Sequence, residues 1–109
     1  MEQAILISDF RVINKTDISY ILGKYNKLIV IIEISENNDP TSIARNLITY
    51  FKTEVDGGRL DILALHRSVG IPWCDFILGN MCNDINKIFI YAKDLPFFSG
   101  RSDVEILGV

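Results

Sequence analysis

The chain has one histidine, two cysteines and one tryptophan in 109 residues, and each scarcity removes a class of function. Cys74 and Cys82 lack the paired spacing of a zinc knuckle, and His66 stands alone as a nitrogen ligand. No metal centre is therefore expected. Further cysteines for a disulfide framework are missing, and Cys74 has no evident base to make it a nucleophile, so it reads as a small buried residue. Ser8, Ser68 and Ser99 lie outside any Gly-x-Ser-x-Gly elbow, and a serine triad would need that single histidine. Hydrolase chemistry is not expected.

Positive charge is also short. Eleven Lys and Arg against 14 Asp and Glu leave a net charge of -3 and a pI near 5.0. A general nucleic-acid or anionic-membrane binder needs the opposite surplus, to displace counterions from its partner. The longest apolar run, Leu28 to Ile32, is far below the ~20 residues that span a bilayer. No basic segment followed by a long apolar run opens the chain. The expectation is a cytoplasmic protein in a reducing compartment, with no membrane and no nucleic-acid partner.

With 49% hydrophobic and 23% charged residues, no repeat, no low-complexity tract and no linker, residues 1–109 read as one domain around one core. Ala4 to Ile7 is a short apolar run, and Leu28 to Ile34 is apolar at every position but Glu33. Neither alternates as a half-wet strand would, so both are expected in a parallel sheet covered on two faces. Between them Ile18, Ile21, Leu22 and Tyr25 recur at helical spacing. Thr16 or Asp17 can cap that helix, and Lys24 and Lys27 suit its negative end.

Asp39-Pro40 opens a second helix, because a carboxylate cap followed by proline sacrifices no useful N–H group. Its buried stripe is expected to be Ile43, Leu47, Ile48 and Phe51, and Asp56-Gly57-Gly58 ends it in a turn. A third strand follows at Leu60 to Leu65 and a third helix at Pro72, with Trp73, Phe76 and Ile77 inward. Lys87 to Ala92 makes a fourth strand, and the remainder holds at most a short helix around Ser102 to Leu107. Alternation of this kind predicts an α/β fold, a small Rossmann-like three-layer sandwich with a four-stranded parallel sheet in the order 3-2-1-4. The sheet then reverses direction between its first and fourth strands, and the crevice beyond their C-terminal ends is flanked by Ser8 to Thr16 and Ala92 to Arg101.

The loop from Ser8 to Asp17 leads into a helix N-terminus, whose N–H groups and dipole favour an anion. Arg11 and Lys15 add charge, while Asp9 and Asp17 oppose it and no glycine lets the backbone approach closely. A phosphate site and an ordinary solvated loop with a capped helix both remain open. His66-Arg67-Ser68 after the third strand is a further place where side chains can reach a ligand. Trp73 either stacks on a flat ring or begins a helix as its largest core residue. Phe97-Phe98 sits in a loop, and if exposed would suit a partner protein or a second copy of the chain.

Ser8 to Ile34, followed by Asp39-Pro40 and a helix bearing Arg45, resembles the start of the nucleotidylyltransferase superfamily, most nearly the small archaeal-type NMN adenylyltransferases. Their first loop has the form Gly-Arg-Phe-x-Pro-x-His-x-Gly-His. An ungapped reading puts Phe10 on the phenylalanine, Asn14 on the first histidine, Thr16 on the glycine and Asp17 on the second histidine. Ile71-Pro72-Trp73 is similar to the tryptophan-bearing helix start whose indole lies by the nicotinamide ring. Ser99-Gly100-Arg101-Ser102 is similar to the late Ser-Gly-Thr motif that touches the triphosphate, although the basic residue that ends that motif is missing.

The resemblance implies a nucleotide or dinucleotide ligand such as ATP, NMN or NAD, with magnesium if the site is active. Phe10, Arg11, Asn14, Trp73, Ser99, Gly100 and Arg101 are the binding residues it points to: Arg11 and Arg101 for phosphates, Asn14 and the Ser99-Gly100 backbone as donors, Trp73 for the ring. Loss of one preorganised donor typically costs ~10²- to 10³-fold in rate. With both histidine positions replaced, and an ionised carboxylate at the second, a pseudoenzyme is expected. The alternative is a small regulatory or inhibitory interaction module of the same fold without a ligand pocket.

Overall fold

The continuous apolar runs near the start of the chain become the centre of a sheet. In the computed structural model, which describes residues 2–35, 37–66 (His66 by its backbone), 85–91 and 102–107, β1 (Gln3–Asp9) pairs in parallel with β2 (Lys27–Ile34) and with β4 (Ile85–Tyr91). β3 (Leu60–His66) flanks β2, and β5 (Val104–Leu107) flanks β4. The order is 3-2-1-4-5, all parallel. The α/β class and the 3-2-1-4 order thus match the expectation, with one strand added.

That fifth strand corrects the short helix expected around Ser102 to Leu107. Val-Glu-Ile-Leu is too short to show a period of its own, and its state is decided by β4. Ile88 pairs with Val104 and Tyr91 with Leu107, and Lys87 reaches Glu105 across the ladder at 4.0 Å.

Each strand sends alternate residues to opposite faces. On one face Ala4, Leu6, Leu28, Val30, Ile32, Ile34, Leu60 and Phe89 meet α1 (Lys15–Leu22) through Ile18, Ile21 and Leu22. α2 (Pro40–Tyr50) packs on the same face through Ile43 and Leu47. On the other face Ile5, Ile7, Ile31, Ile88 and Ile90 form a second core, each of them fully buried. Two buried faces explain why β1 and β2 carry apolar residues without alternation. Both crossovers, β1 to β2 and β2 to β3, run in one direction, so right-handedness puts α1 and α2 on one side of the sheet.

Local details depart from the sequence expectation at three places. α1 is capped by Asn14 rather than by Thr16 or Asp17: the Asn14 side chain accepts from the Asp17 N–H. Neither Lys24 nor Lys27 serves its C-terminus. Lys24 turns to the Tyr20 hydroxyl at 2.9 Å, and Lys27 to Asp61 at 3.0 Å. Arg59 does so instead, with Nη2 donating to the Leu22 and Tyr25 carbonyls at 2.6 and 3.2 Å.

The second helix breaks at Phe51, whose φ of -105° and ψ of 34° leave the helical region, and resumes as α3 (Lys52–Asp56). The break turns Phe51 into the core at 2% exposure while Ile48, expected to be buried, stays 40% exposed. Asp39 caps α2 with Pro40 beside it, and Gly58 takes the positive φ of 73° that the turn requires. The third helix expected at Pro72 lies outside the described residues. Among those described, no helix is long and apolar enough to cross a membrane.

Candidate functional site at the strand-order reversal

The sheet changes direction between β1 and β4, so the loop after β1 stands at the mouth of the crevice. That loop is organised by Asp9. Its carboxylate, at the buried end of β1, accepts from the Arg11 backbone N–H at 2.9 Å, from Arg11 Nε at 3.0 Å and from Nη2 at 2.7 Å. The Val12 N–H returns to the Asp9 carbonyl and closes the turn. Arg11 keeps 72% of its side chain in solvent, and its pKa is raised, first by the hydrogen bond to Asp9 and then by that residue's charge. The guanidinium that was expected to meet phosphate is thus already held in a two-pronged pair by its own loop.

Asn14 is equally engaged. Its backbone is extended, its Oδ1 accepts from the Asp17 N–H at 2.9 Å, and its amide donates to the Val12 carbonyl at 3.2 Å and to Asp17 Oδ2 at 3.0 Å. From the end of β4 the Tyr91 hydroxyl donates to the same Asp17 Oδ2 at 2.7 Å, with the Val12 carbonyl a second acceptor at 3.2 Å. Burial, and then the Asp17 carboxylate, push the Tyr91 pKa well above the ordinary phenol value, against a smaller opposing effect of Ser8. The positive end of α1 therefore faces an internal carboxylate, held by one residue of the loop and one of the neighbouring strand. An incoming phosphate would meet charge of its own sign there.

Beside this closed position lies an open one. A cleft of about 300 Å³ is lined by Asp9, Phe10, Arg11, Glu33, Ile34, Ser35 and Asn38, all at the C-terminal ends of β1 and β2. Asp9 and Glu33 are register partners on adjacent parallel strands, and they continue the rows Ile5-Ile7 and Ile29-Ile31. Both carboxylates are buried, at 7% and 3% exposure. Phe10 packs against the α1-side core and forms part of the wall. On the far side Ser35 Oγ donates to Asn38 Oδ1 at 2.6 Å, and the Asn38 N–H returns to the Ser35 carbonyl.

Three of the sequence-derived site residues, Phe10, Arg11 and Asn14, thus cluster around the end of β1. Trp73, Ser99, Gly100, Arg101 and the Phe97-Phe98 pair lie outside the described residues, as does the His66 side chain with Arg67 and Ser68. Sequence reasoning missed Asp9 as an organiser, Glu33, Ser35, Asn38 and Tyr91. Glu33 had a visible signal, since it is the charged residue inside an otherwise apolar run that two covered faces require. Tyr91 had none, because its partner is 74 residues away.

A second depression of about 440 Å³ runs between α2 and β3, lined mainly by Pro40, Ala44, Ile48, Ile62, Leu63 and Ala64. It lies at the sheet edge rather than at the reversal. Among the described residues no group of three or more His, Cys, Asp or Glu side chains is placed to hold a metal ion. No family model, no curated protein and no solved structure matches the chain.

Proposed function

We propose that this domain recognises a nucleotide or dinucleotide without transferring its phosphoryl groups. The observation that carries the reading is the strand-order reversal between β1 and β4 with an open cleft immediately beside it. Ligands of open α/β sheets settle beyond the carboxyl ends of the strands at such a reversal. Non-catalytic action is supported by the position of Asp17. Transfer needs donors that stabilise charge growing on phosphate, whereas Asp17 holds two donors, Tyr91 and Asn14, directed at itself.

Thermal unfolding of the full chain against ATP, CTP, NMN and NAD, with and without magnesium, tests this reading. Binding to the native state raises Tm by mass action. The expected result is a rise with at least one of these compounds and no product on prolonged incubation. No rise with any of them, or turnover, would sink the proposal.

The interaction-module reading keeps one supporting observation. β3 is bonded on one side only among the described residues, and Leu63 and Ile48 are exposed beside it, at 38% and 40%. Unpaired strand edges of low charge invite a further strand. Sedimentation across a concentration series separates this reading from the first, which expects no dependence on protein concentration.

A further inference from the structure

We infer that the free edge of β3 and the groove between it and α2 dock an extended segment of a partner protein, one that alternates apolar side chains and carries a carboxylate for Arg45. The inference rests on the interaction reading above and is independent of the cleft at the reversal, because the groove lies at the sheet edge. Three observations carry it.

The first is the backbone. Successive residues of a strand turn their N–H and C=O groups to opposite edges. The Arg59 carbonyl accepts from the Leu28 N–H of β2, and the parallel register continues from Leu60 opposite Leu28 to Ala64 opposite Ile32. By that alternation Ile62 and Ala64 turn their backbone groups away from β2, and β3 is the last strand on that side among the described residues. An added strand gains affinity from such groups through its main chain alone.

The second is the lining of the groove. A depression of about 440 Å³ runs along β3, with Ala44 and Ile48 on the helix side and Ile62 and Ala64 on the strand side. Ile62 and Ala64 pack against the α2-side core, while Ile48 stays exposed. A strand added to β3 would set every second side chain against this apolar surface and remove it from water.

The third is charge. Arg45 lines the groove, and among the described residues its guanidinium has no hydrogen bond or ion pair. Asp39 feels Arg45 only as a minor through-space charge, and its carboxylate is taken by the Thr41 N–H and the Ser42 hydroxyl. Asp61 belongs to the opposite face of β3 and is bonded to Lys27 at 3.0 Å. An unpaired cation beside an apolar groove is complemented by a carboxylate beside an apolar side chain. A second copy fits less well. Arg45 is the central residue of α2, so a twofold pairing of β3 with β3 would bring Arg45 towards its own image.

Selection of randomised peptides displayed on phage against the immobilised full chain tests this. The enriched sequences should alternate apolar or β-branched residues with others, include Asp or Glu and lack proline. Selection on Arg45→Glu should enrich Lys and Arg in place of the acids, and Arg45→Gln should weaken a selected acidic peptide about two- to fivefold. On the unaltered protein, methylating successive amide nitrogens of that peptide should weaken binding in alternation, by about tenfold at those facing β3 and little at those between. The methylation series stands even if both variants fail to fold. Enriched peptides without acidic residues, or methylation losses without alternation, would overturn the acidic strand partner. Mass that rises with protein concentration in sedimentation and falls when the peptide is added would overturn it in favour of a second copy and leave the interaction reading intact. No enriched peptide together with a constant mass would overturn both.

Discussion

The Tyr91 hydroxyl donates to Asp17 Oδ2 at 2.7 Å, joining the end of β4 to the first turn of α1 across the point where the sheet reverses. The two strands at that point, β1 and β4, have α1, β2, α2, α3 and β3 between them in sequence. A side-chain bond from β4 to the start of α1 therefore fixes the crevice geometry more directly than any local turn. Replacing the hydroxyl should cost about 1.5 kcal/mol, the usual worth of a hydrogen bond to a charged group, and Tyr91→Phe in urea unfolding reads it.

The same bond gives the protein an alkaline signature. Folding raises the Tyr91 pKa above the ordinary 10.0, so the native state holds this proton more tightly than the unfolded chain. The stabilisation is complete below about pH 10 and declines as pH rises through the folded value. Of the four tyrosines, one should resist ionisation in an absorbance titration until the protein unfolds, and Tyr91→Phe should abolish the resistant fraction. A titration in which all tyrosines ionise together in the folded protein would contradict the geometry.

Neutralising Asp17 should open the end of α1. Asp17→Asn keeps a side-chain acceptor for Tyr91 and removes the charge that repels an anion. Inorganic phosphate and pyrophosphate should then raise the Tm of the variant and leave that of the parent unchanged. An equal response in both proteins would mean that Asp17 is not what bars the site.

Arg59 closes the C-terminal end of α1 from the far side of the β2–β3 crossover. Arg59→Met keeps the aliphatic stem and removes the donors, and is expected to destabilise the fold by about 1 kcal/mol. Amide exchange should accelerate at Lys24 and Tyr25, whose N–H groups bond the Ile21 carbonyl in that final turn. Unchanged exchange there would show that the turn holds without Arg59.

Asp39 stabilises α2 as a charged cap. Its pKa is lowered from 3.8, first by the Ser42 hydroxyl and then by the Thr41 N–H. A lowered folded pKa means stabilisation present above about pH 4 and lost as pH falls through the folded value. Asp39→Ala should therefore lower Tm clearly at pH 7, and the gap from the parent should narrow on acidification. A gap that widens in acid would reverse the assigned sign.

Gly58 isolates a backbone effect. A methyl group there would meet nothing within 4 Å, yet φ is +73°, so Gly58→Ala should cost about 1 kcal/mol from conformation alone. Chemical denaturation gives the number directly.

Much of this architecture is decided by local sequence. Apolar runs too continuous for a wet face made β1 and β2 parallel and doubly covered, Asp39-Pro40 opened α2, and the alternation of elements led to the 3-2-1-4 order. These features rest on the burial pattern and chain direction, which neighbouring residues suffice to display. What the sequence could not decide lies in long-range pairing. Val104–Leu107 became a strand because β4 offered an edge; Arg59 rather than Lys24 or Lys27 reached the end of α1; Phe51 turned inward and left Ile48 outside. The site divides along the same line. The place of the Ser8 to Thr16 loop was legible because the loop after β1 must stand at the reversal. The engagement of Arg11 by Asp9 and the closure of α1 by Asp17 and Tyr91 came only from folding, which places the Tyr91 hydroxyl at the end of β4 within hydrogen-bonding distance of Asp17.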